Sequence, residues 1–164
     1  MKKIFFAVIL IAIAFNQTSF AQLVSTHRED STKSKPSALL TSYYSIKDAL
    51  VASNAGTASA NATEFAKAIN SLDTAILKAE NRNALLNDAV AISQSKDLNV
   101  QRVKFASLSA NMFALAKTVK LSANPIYQQY CPMKKASWLS DVKAIKNPYY
   151  GSAMLTCGSV KETL

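Results

Sequence analysis

Apolar side chains recur along this chain at alternating intervals of three and four residues, and this spacing is the strongest constraint on the fold. The longest run consists of Phe105, Leu108, Met112, Leu115 and Val119. Because an α-helix has about 3.6 residues per turn, residues spaced in this way lie on one helical face. Three earlier segments show the same spacing: Leu39, Tyr43, Ile46 and Leu50; then Phe65, Ile69, Leu72 and Ile76; then Leu85 or Leu86, Ala89 and Ile92. The pattern predicts four amphipathic helices, over about 37–53, 56–80, 82–94 and 97–120.

The segment after Asn124 has a different character. It contains five of the seven Gly and Pro residues, namely Pro125, Pro132, Pro148, Gly151 and Gly158. These residues interrupt regular structure, so turns and short pieces are expected there. No stretch before Asn124 shows the alternation of a strand. We therefore expect one all-α domain over 37–164, a four-helix up-down bundle with an irregular C-terminal cap over 124–164.

The first 21 residues have the three parts of a secretory signal peptide. A basic start precedes the apolar run Ile4–Phe15, and Ser19-Phe20-Ala21 forms a small-x-small cleavage site. The run has 12 residues, whereas a membrane-spanning helix needs roughly 20. We expect cleavage between Ala21 and Gln22, a periplasmic or secreted product without a membrane span, and a flexible leader over 22–36.

Charge and motif content exclude several classes of function. Removal of Lys2 and Lys3 with the signal lowers the formal charge from +9 to +7, which is typical of proteins with acidic partners. The lysines are scattered along the chain, so we expect no nucleic-acid partner. His27 is the only histidine, so no histidine metal cage and no Ser/His or Cys/His nucleophile pair can form. Without a Cys-x-x-Cys or a Gly-rich phosphate loop, we expect no catalytic residues and no enzyme.

Four sulfur-bearing residues in the C-terminal cap form the candidate site. If 131–133 is extended, Cys131 and Met133 leave the same side of the chain, because a strand has a period of two. If 152–157 forms a helical turn, Met154 and Cys157 are neighbours three residues apart. Thiols and thioethers are soft ligands that select Cu(I), and less strongly Zn(II), over Mg(II) or Ca(II). The pattern predicts a soft-metal site, most simply for Cu(I).

Tyr130 and Trp138 are expected to form a wall of this site, shielding it from water or placing an aromatic face near the cation. Other interpretations remain open for the same residues. Cys131 and Cys157 would close a loop of about 25 residues as a plain disulfide, which stabilises a small exported domain by about 2–4 kcal/mol. Met133 and Met154 would then fill gaps in the core. The aromatic residues would simply cover the open end of the bundle.

The order of short motifs in the cap carries a family resemblance. These motifs are Cys131-Pro132-Met133, Trp138-Leu139-Ser140, Asn147-Pro148-Tyr149-Tyr150-Gly151 and Met154-x-x-Cys157-Gly158. Together with two upstream segments, Tyr44–Val51 and Gln101–Met112, the series resembles a bacterial domain family of unknown function found in exported proteins and at the ends of heavy-metal efflux adaptors. The resemblance implies a helical domain associated with copper and other soft-metal resistance, a metal efflux component as partner, and metal ligation by Cys131, Met133, Met154 and Cys157.

Two hypotheses for function follow. The first is a periplasmic module that binds a soft metal in envelope metal homeostasis or efflux. The second is a structural or interaction domain that is stapled by a disulfide and binds no metal.

Overall fold

The computed structural model describes residues 35–164, in which four helices precede a small sheet. The helices are α1 (Pro36–Val51), α2 (Ala55–Asn70), α3 (Ala79–Gln94) and α4 (Leu98–Thr118). The strands are β1 (Tyr127–Cys131), β2 (Ala136–Ser140) and β3 (Ser159–Thr163), with a short 3-10 helix at Gly151–Met154 before β3. The predicted signal peptide, and the predicted leader up to Ser34, lie outside the described residues. Across 35–164, every helix is too short or too polar to cross a bilayer.

The helical core lies on the faces that the three-four spacing predicts. Every apolar residue of the predicted stripe in α1 is fully buried, as are Phe105, Leu108 and Met112 in α4. Side chains at two helix starts accept hydrogen bonds from free backbone N–H groups. Asn54 accepts from Thr57 at 2.9 Å, and Asp97 accepts from Asn99 at 2.7 Å. Because the first N–H groups of a helix have no partner within the helix, these side chains determine where α2 and α4 begin.

The second helix was predicted over 56–80, which wrongly includes the connection between two observed helices. The observed α2 ends at Asn70, and α3 does not begin until Ala79. Arg82 of α3 donates hydrogen bonds to the carbonyl oxygens of Ile69 and, at 2.8 Å, of Leu72. These bonds tie the first turn of α3 to the end of α2 and to the turn that follows it. The following turns bury Leu77 completely in place of the predicted Ile76, which is only partly buried.

The C-terminal region is a three-stranded antiparallel sheet, so the prediction of an irregular cap is wrong. The strand order is β2-β1-β3. All five residues of β1 pair with β2, and Tyr127–Tyr130 pair with β3, with a register shift between Gln128 and Gln129. Each strand has five residues. Burial is continuous over the last three residues of β2 and is almost absent in β3. Neither strand therefore shows the polar-apolar alternation by which a half-buried strand is predicted.

Two tyrosines attach the sheet to the helices along the outer edge of β2. The hydroxyl of Tyr43, in α1, accepts a hydrogen bond from the backbone N–H of Leu139 at 3.0 Å. The same hydroxyl lies 2.7 Å from Ser109 Oγ, in α4. Tyr149 donates its hydroxyl hydrogen to the carbonyl oxygen of Ser137 at 2.5 Å. Because an uncovered edge strand presents unpaired backbone groups, these contacts both satisfy β2 and position it against the bundle.

Candidate metal site

The two cysteines lie next to each other at one end of the sheet. Cys131 is the last residue of β1, and Cys157 lies in the loop that leads into β3. Their Sγ atoms are 3.6 Å apart. Cys131 is completely buried, whereas Cys157 is partly exposed, and both are free thiols. The fold therefore brings together two soft donor atoms from positions 26 residues apart in sequence.

The two thiols have opposite pKa shifts. The chain turns sharply at Pro132–Lys135, directly after Cys131. Burial disfavours the Cys131 thiolate, but hydrogen bonding from the Lys134 backbone, from Asn147, from Cys157 and from the Met133 backbone outweighs this effect and holds the pKa of Cys131 below its ordinary value. The hydrogen bond to Cys131 is in turn the main reason why the pKa of Cys157 is raised. Of the two thiols, Cys131 therefore loses its proton more readily.

Asn147 holds the loop that carries Cys157. Its side-chain amide donates to the carbonyl oxygen of Cys157 at 2.7 Å, and its side-chain oxygen accepts from the N–H of Tyr149 at 2.8 Å. Its backbone N–H donates to Leu155 at 2.8 Å, and its carbonyl oxygen accepts from Gly151 at 3.0 Å. Asn147 is completely buried, so each of these bonds is protected from water. Sequence reasoning assigned no role to this side chain, whose only signal was an Asn preceding Pro in a turn-rich segment.

Trp138, which was predicted as a wall of the site, lies beside Gly158 and Tyr149. Its side chain is 1% exposed, and its ring makes an edge contact with Tyr149 at 5.9 Å between centroids. Gly158, which follows Cys157, has a φ of +152°, and a Cβ there would lie 2.9 Å from the Trp138 ring. The chain can therefore pass this close to the indole only because residue 158 has no side chain.

Tyr130 does not form the predicted wall. It precedes Cys131 in β1, and successive side chains of a strand point to opposite faces. Its ring lies instead near the ammonium group of Lys161, which is 5.6 Å from the ring centroid. The prediction assumed that residues adjacent in sequence lie on the same side of the chain. In a strand, adjacent side chains lie on opposite faces of the sheet.

The two methionines lie on the segments next to the thiols. The local structure at Met133 differs from the predicted extended segment, whereas that at Met154 agrees with the predicted helical turn. Met133 is in the turn after β1 and not in an extended segment, so the strand period does not place it. Met154 ends the 3-10 helix, and its carbonyl oxygen accepts a hydrogen bond from Cys157 N–H at 3.1 Å, as the predicted helical turn requires. The side chains of Met133 and Met154 are 64% and 40% exposed, so the interpretation that they fill the core is wrong. Within 35–164, no group of three or more His, Cys, Asp or Glu side chains is placed to hold a metal.

Arg102 connects this region to the helices. Its guanidinium donates to the carbonyl oxygen of Pro148 at 3.0 Å, to that of Leu50 at 3.3 Å, and to Ser53 Oγ at 2.9 Å. A Cβ on Gly151, where φ is +57°, would lie 3.1 Å from this guanidinium and 2.5 Å from Ser53 Oγ. Arg102 is partly buried, and this burial lowers its pKa. The 147–151 turn therefore packs against the ends of α1 and α4 as one unit with them.

Comparison with known proteins gives one family. No curated protein and no solved structure matches the chain. A family model described as "Protein of unknown function (DUF3347)" matches residues 39–124, which is more than half of the chain and includes nearly all of α1 to α4. The cysteines and the motifs around them lie beyond this range, so their association with copper efflux stays a prediction. By the match over its helical part, this chain belongs to the DUF3347 family.

Proposed function

We propose that this protein is a periplasmic module that binds a soft metal ion, Cu(I), in envelope metal homeostasis or efflux. The observation that carries the proposal is the pair of free thiols 3.6 Å apart at one end of the sheet. Cu(I) prefers soft sulfur ligands over nitrogen and oxygen. With so few His, Asp or Glu side chains nearby, the thiols are the natural primary ligands.

The distance between the sulfurs suits a metal bridge. Two sulfurs that each lie about 2.3 Å from one metal ion are separated by about 3.8 Å at a tetrahedral angle and about 4.6 Å in a linear arrangement. The observed 3.6 Å therefore has to widen by only a few tenths of an ångström in the first case. Hydrogen bonding to Cys131 supports its thiolate form, which is the form that binds metals.

Thioethers complete the proposed ligand set. Met133 and Met154 lie two and three residues from a cysteine, and their side chains are 64% and 40% exposed. Their thioethers are therefore free of the core and accessible to a metal ion held by the thiols. A thioether is neutral and is a weaker ligand than a thiolate, so the cysteines dominate affinity and the methionines adjust it.

Competition against a Cu(I) chelator tests the proposal. The reduced wild type is expected to bind about one ion per chain, since only one thiol pair is present. Cys131→Ser and Cys157→Ser should weaken binding far more than Met133→Leu and Met154→Leu. The matched control is Met112→Leu. Met112 is fully buried in α4, so this substitution removes a thioether sulfur that is not in the candidate site.

Two results would contradict the proposal. One is equal competition by the reduced wild type and the variant that lacks both cysteines. The other is a protein isolated from the periplasm whose disulfide resists physiological thiols. In either case, the disulfide-stapled interaction domain becomes the better description, and a metal efflux component is no longer the expected partner.

A further inference from the structure

We infer that Cys131 and Cys157 form a redox-active dithiol that exchanges with small-molecule disulfides, with Cys157 as the entry thiol and Cys131 as the resolving thiol. This activity requires no metal and is independent of the proposed Cu(I) function. It is also different from a structural staple, because the bond would form and break reversibly.

The first support is the geometry of the pair. A disulfide bond is about 2.05 Å long, so the two Sγ atoms must approach by about 1.5 Å from their present 3.6 Å. Cys131 is the last residue of β1 and Cys157 lies in the loop before β3, so rotation of the two side chains and a small shift of that loop can close the gap.

The second support is the difference in exposure. Cys131 is 0% exposed, so an incoming disulfide cannot reach it directly. Cys157 is partly exposed and lies in direct contact with Cys131. A small disulfide must therefore react first at Cys157, and only Cys131 is then close enough to attack the mixed disulfide.

The third support is that the reduced state is independently stabilised. The buried side-chain amide of Asn147 donates to the carbonyl oxygen of Cys157 at 2.7 Å, so the loop that carries Cys157 is held in place without any bond between the sulfurs. Stabilisation of the reduced form makes a disulfide easier to reduce. The pair is thus suited to cycling.

The exchange balances in two steps. In the first, Cys157 Sγ attacks one sulfur of the disulfide RSSR, the S–S bond breaks, and RS⁻ leaves and takes up the thiol proton of Cys157 as RSH. In the second, Cys131 Sγ attacks the Cys157 sulfur of the mixed disulfide and releases the second RS⁻, which takes up the remaining proton. Overall, RSSR gains two electrons and two protons, and the protein gains one disulfide.

Equilibration of the metal-free chain with mixtures of reduced and oxidised glutathione tests this inference. The oxidised fraction is measured by trapping free thiols with an alkylating agent and weighing the intact protein. Trp138 provides a second readout, because it is the only tryptophan and packs beside Gly158, next to Cys157. A reversible transition between dithiol and disulfide is expected as the glutathione ratio varies, with the same midpoint in both directions.

Single-cysteine variants test the roles of the two thiols. Cys131→Ser should accumulate a mixed disulfide with glutathione on Cys157, because no resolving thiol remains. Cys157→Ser should remain unmodified on the same timescale, because Cys131 is buried. The rates are expected to differ by about tenfold or more, since attack depends on access as well as on the thiolate.

Asn147→Asp tests the support for the reduced state. Loss of the amide donor and gain of a negative charge beside Cys131 should shift the midpoint of the glutathione titration toward easier oxidation. Each 1.4 kcal/mol of this effect changes the equilibrium constant about tenfold. Asn61→Asp is the matched control, because Asn61 also donates to a carbonyl oxygen, that of Ser45 at 2.8 Å, but on the helices. That control should leave the midpoint unchanged.

The inference is overturned if the wild type stays fully reduced or fully oxidised at every glutathione ratio, or if Cys157→Ser reacts as fast as Cys131→Ser. Neither result depends on whether Asn147→Asp folds. None of these measurements involves a metal. A wild type that stays fully reduced overturns only the redox inference, whereas a wild type that stays fully oxidised overturns the Cu(I) proposal as well. Failure of Cu(I) binding leaves the redox result intact.

Discussion

Neighbouring tyrosines in α1 give the sharpest test of how the sheet is attached to the bundle. Tyr43 and Tyr44 are adjacent in sequence, and Phe replaces each of them with the loss of one hydroxyl. The Tyr43 hydroxyl has two partners, the N–H of Leu139 at 3.0 Å and Ser109 Oγ at 2.7 Å. The Tyr44 hydroxyl is buried and has no hydrogen-bond partner among residues 35–164. The same chemical change should therefore have opposite consequences.

The magnitudes follow from what each substitution leaves behind. Tyr43→Phe leaves the backbone N–H of Leu139, which is fully buried, without its hydrogen-bond acceptor. An unsatisfied buried donor lowers the free energy of unfolding by about 1–3 kcal/mol. Ser109 lies within α4, so its hydroxyl can turn to a carbonyl of the preceding turn and recover most of its bond. We expect a net loss of about 1–3 kcal/mol, against a change of about zero, or a small gain, for Tyr44→Phe.

Urea unfolding followed by tryptophan fluorescence measures both variants at pH 7. Burial raises the pKa of Tyr43 and of Tyr44 above the ordinary value of 10.0, so both hydroxyls are protonated and the comparison is free of charge effects. The raised pKa values also mean that stability from these groups is present below pH 10 and declines as the pH rises further. Equal losses for the two variants, or a larger loss for Tyr44→Phe, would refute the assignment of Tyr43 as the link between α1 and the edge of β2.

Three further predictions concern the core, the loop beside the thiols and the metal site. Leu108→Ala should lower the free energy of unfolding by about 2–5 kcal/mol because Leu108 is fully buried. Its control, Val103→Ala, changes a residue that is 56% exposed and should alter this free energy by less than about 0.5 kcal/mol. Both are measured by urea titration, and a loss below about 0.5 kcal/mol for Leu108→Ala would mean that this face is not the core. Gly158→Ala should destabilise by roughly 1–3 kcal/mol because its φ is +152° and its Cβ would lie 2.9 Å from an indole carbon. Gly56→Ala should stabilise by about 0.5–1 kcal/mol because it lies inside α2 and its Cβ meets nothing closer than 3.6 Å; thermal unfolding that ranks the two Gly variants in the other order would contradict both. Hydrogen bonding to Cys131 raises the pKa of Cys157, so Cu(I) must displace a proton from Cys157 when it binds. The apparent affinity for Cu(I) should therefore increase with pH by up to about tenfold per pH unit. Chelator competition from pH 6 to 8 measures this dependence, and a flat profile would exclude Cys157 as a ligand.

The candidate site was predicted only in part from sequence. The concentration of sulfur, Gly and Pro after Asn124 identified the segment in which the structure places the two thiols side by side. It did not indicate that Cys131 ends a strand, which places Tyr130 on the opposite face. Nor did it indicate the turn at Pro132–Lys135 that directly follows Cys131. Such details depend on a few backbone angles, for example the positive φ of Lys135, that no periodic pattern records.

Sequence alone determined the helical part of the molecule, because a helix satisfies its backbone within itself and needs only an apolar stripe to bury. The stripes in α1 and α4 therefore identified the core residues directly. The tertiary structure alone decided the rest. A five-residue strand is stable only when partners supply its hydrogen bonds, and here those partners are other strands and two tyrosine hydroxyls from distant positions. The thiol pair is likewise a product of long-range contacts, since the pairing of β1 with β3 and the bonds of Asn147 bring Cys131 and Cys157 together.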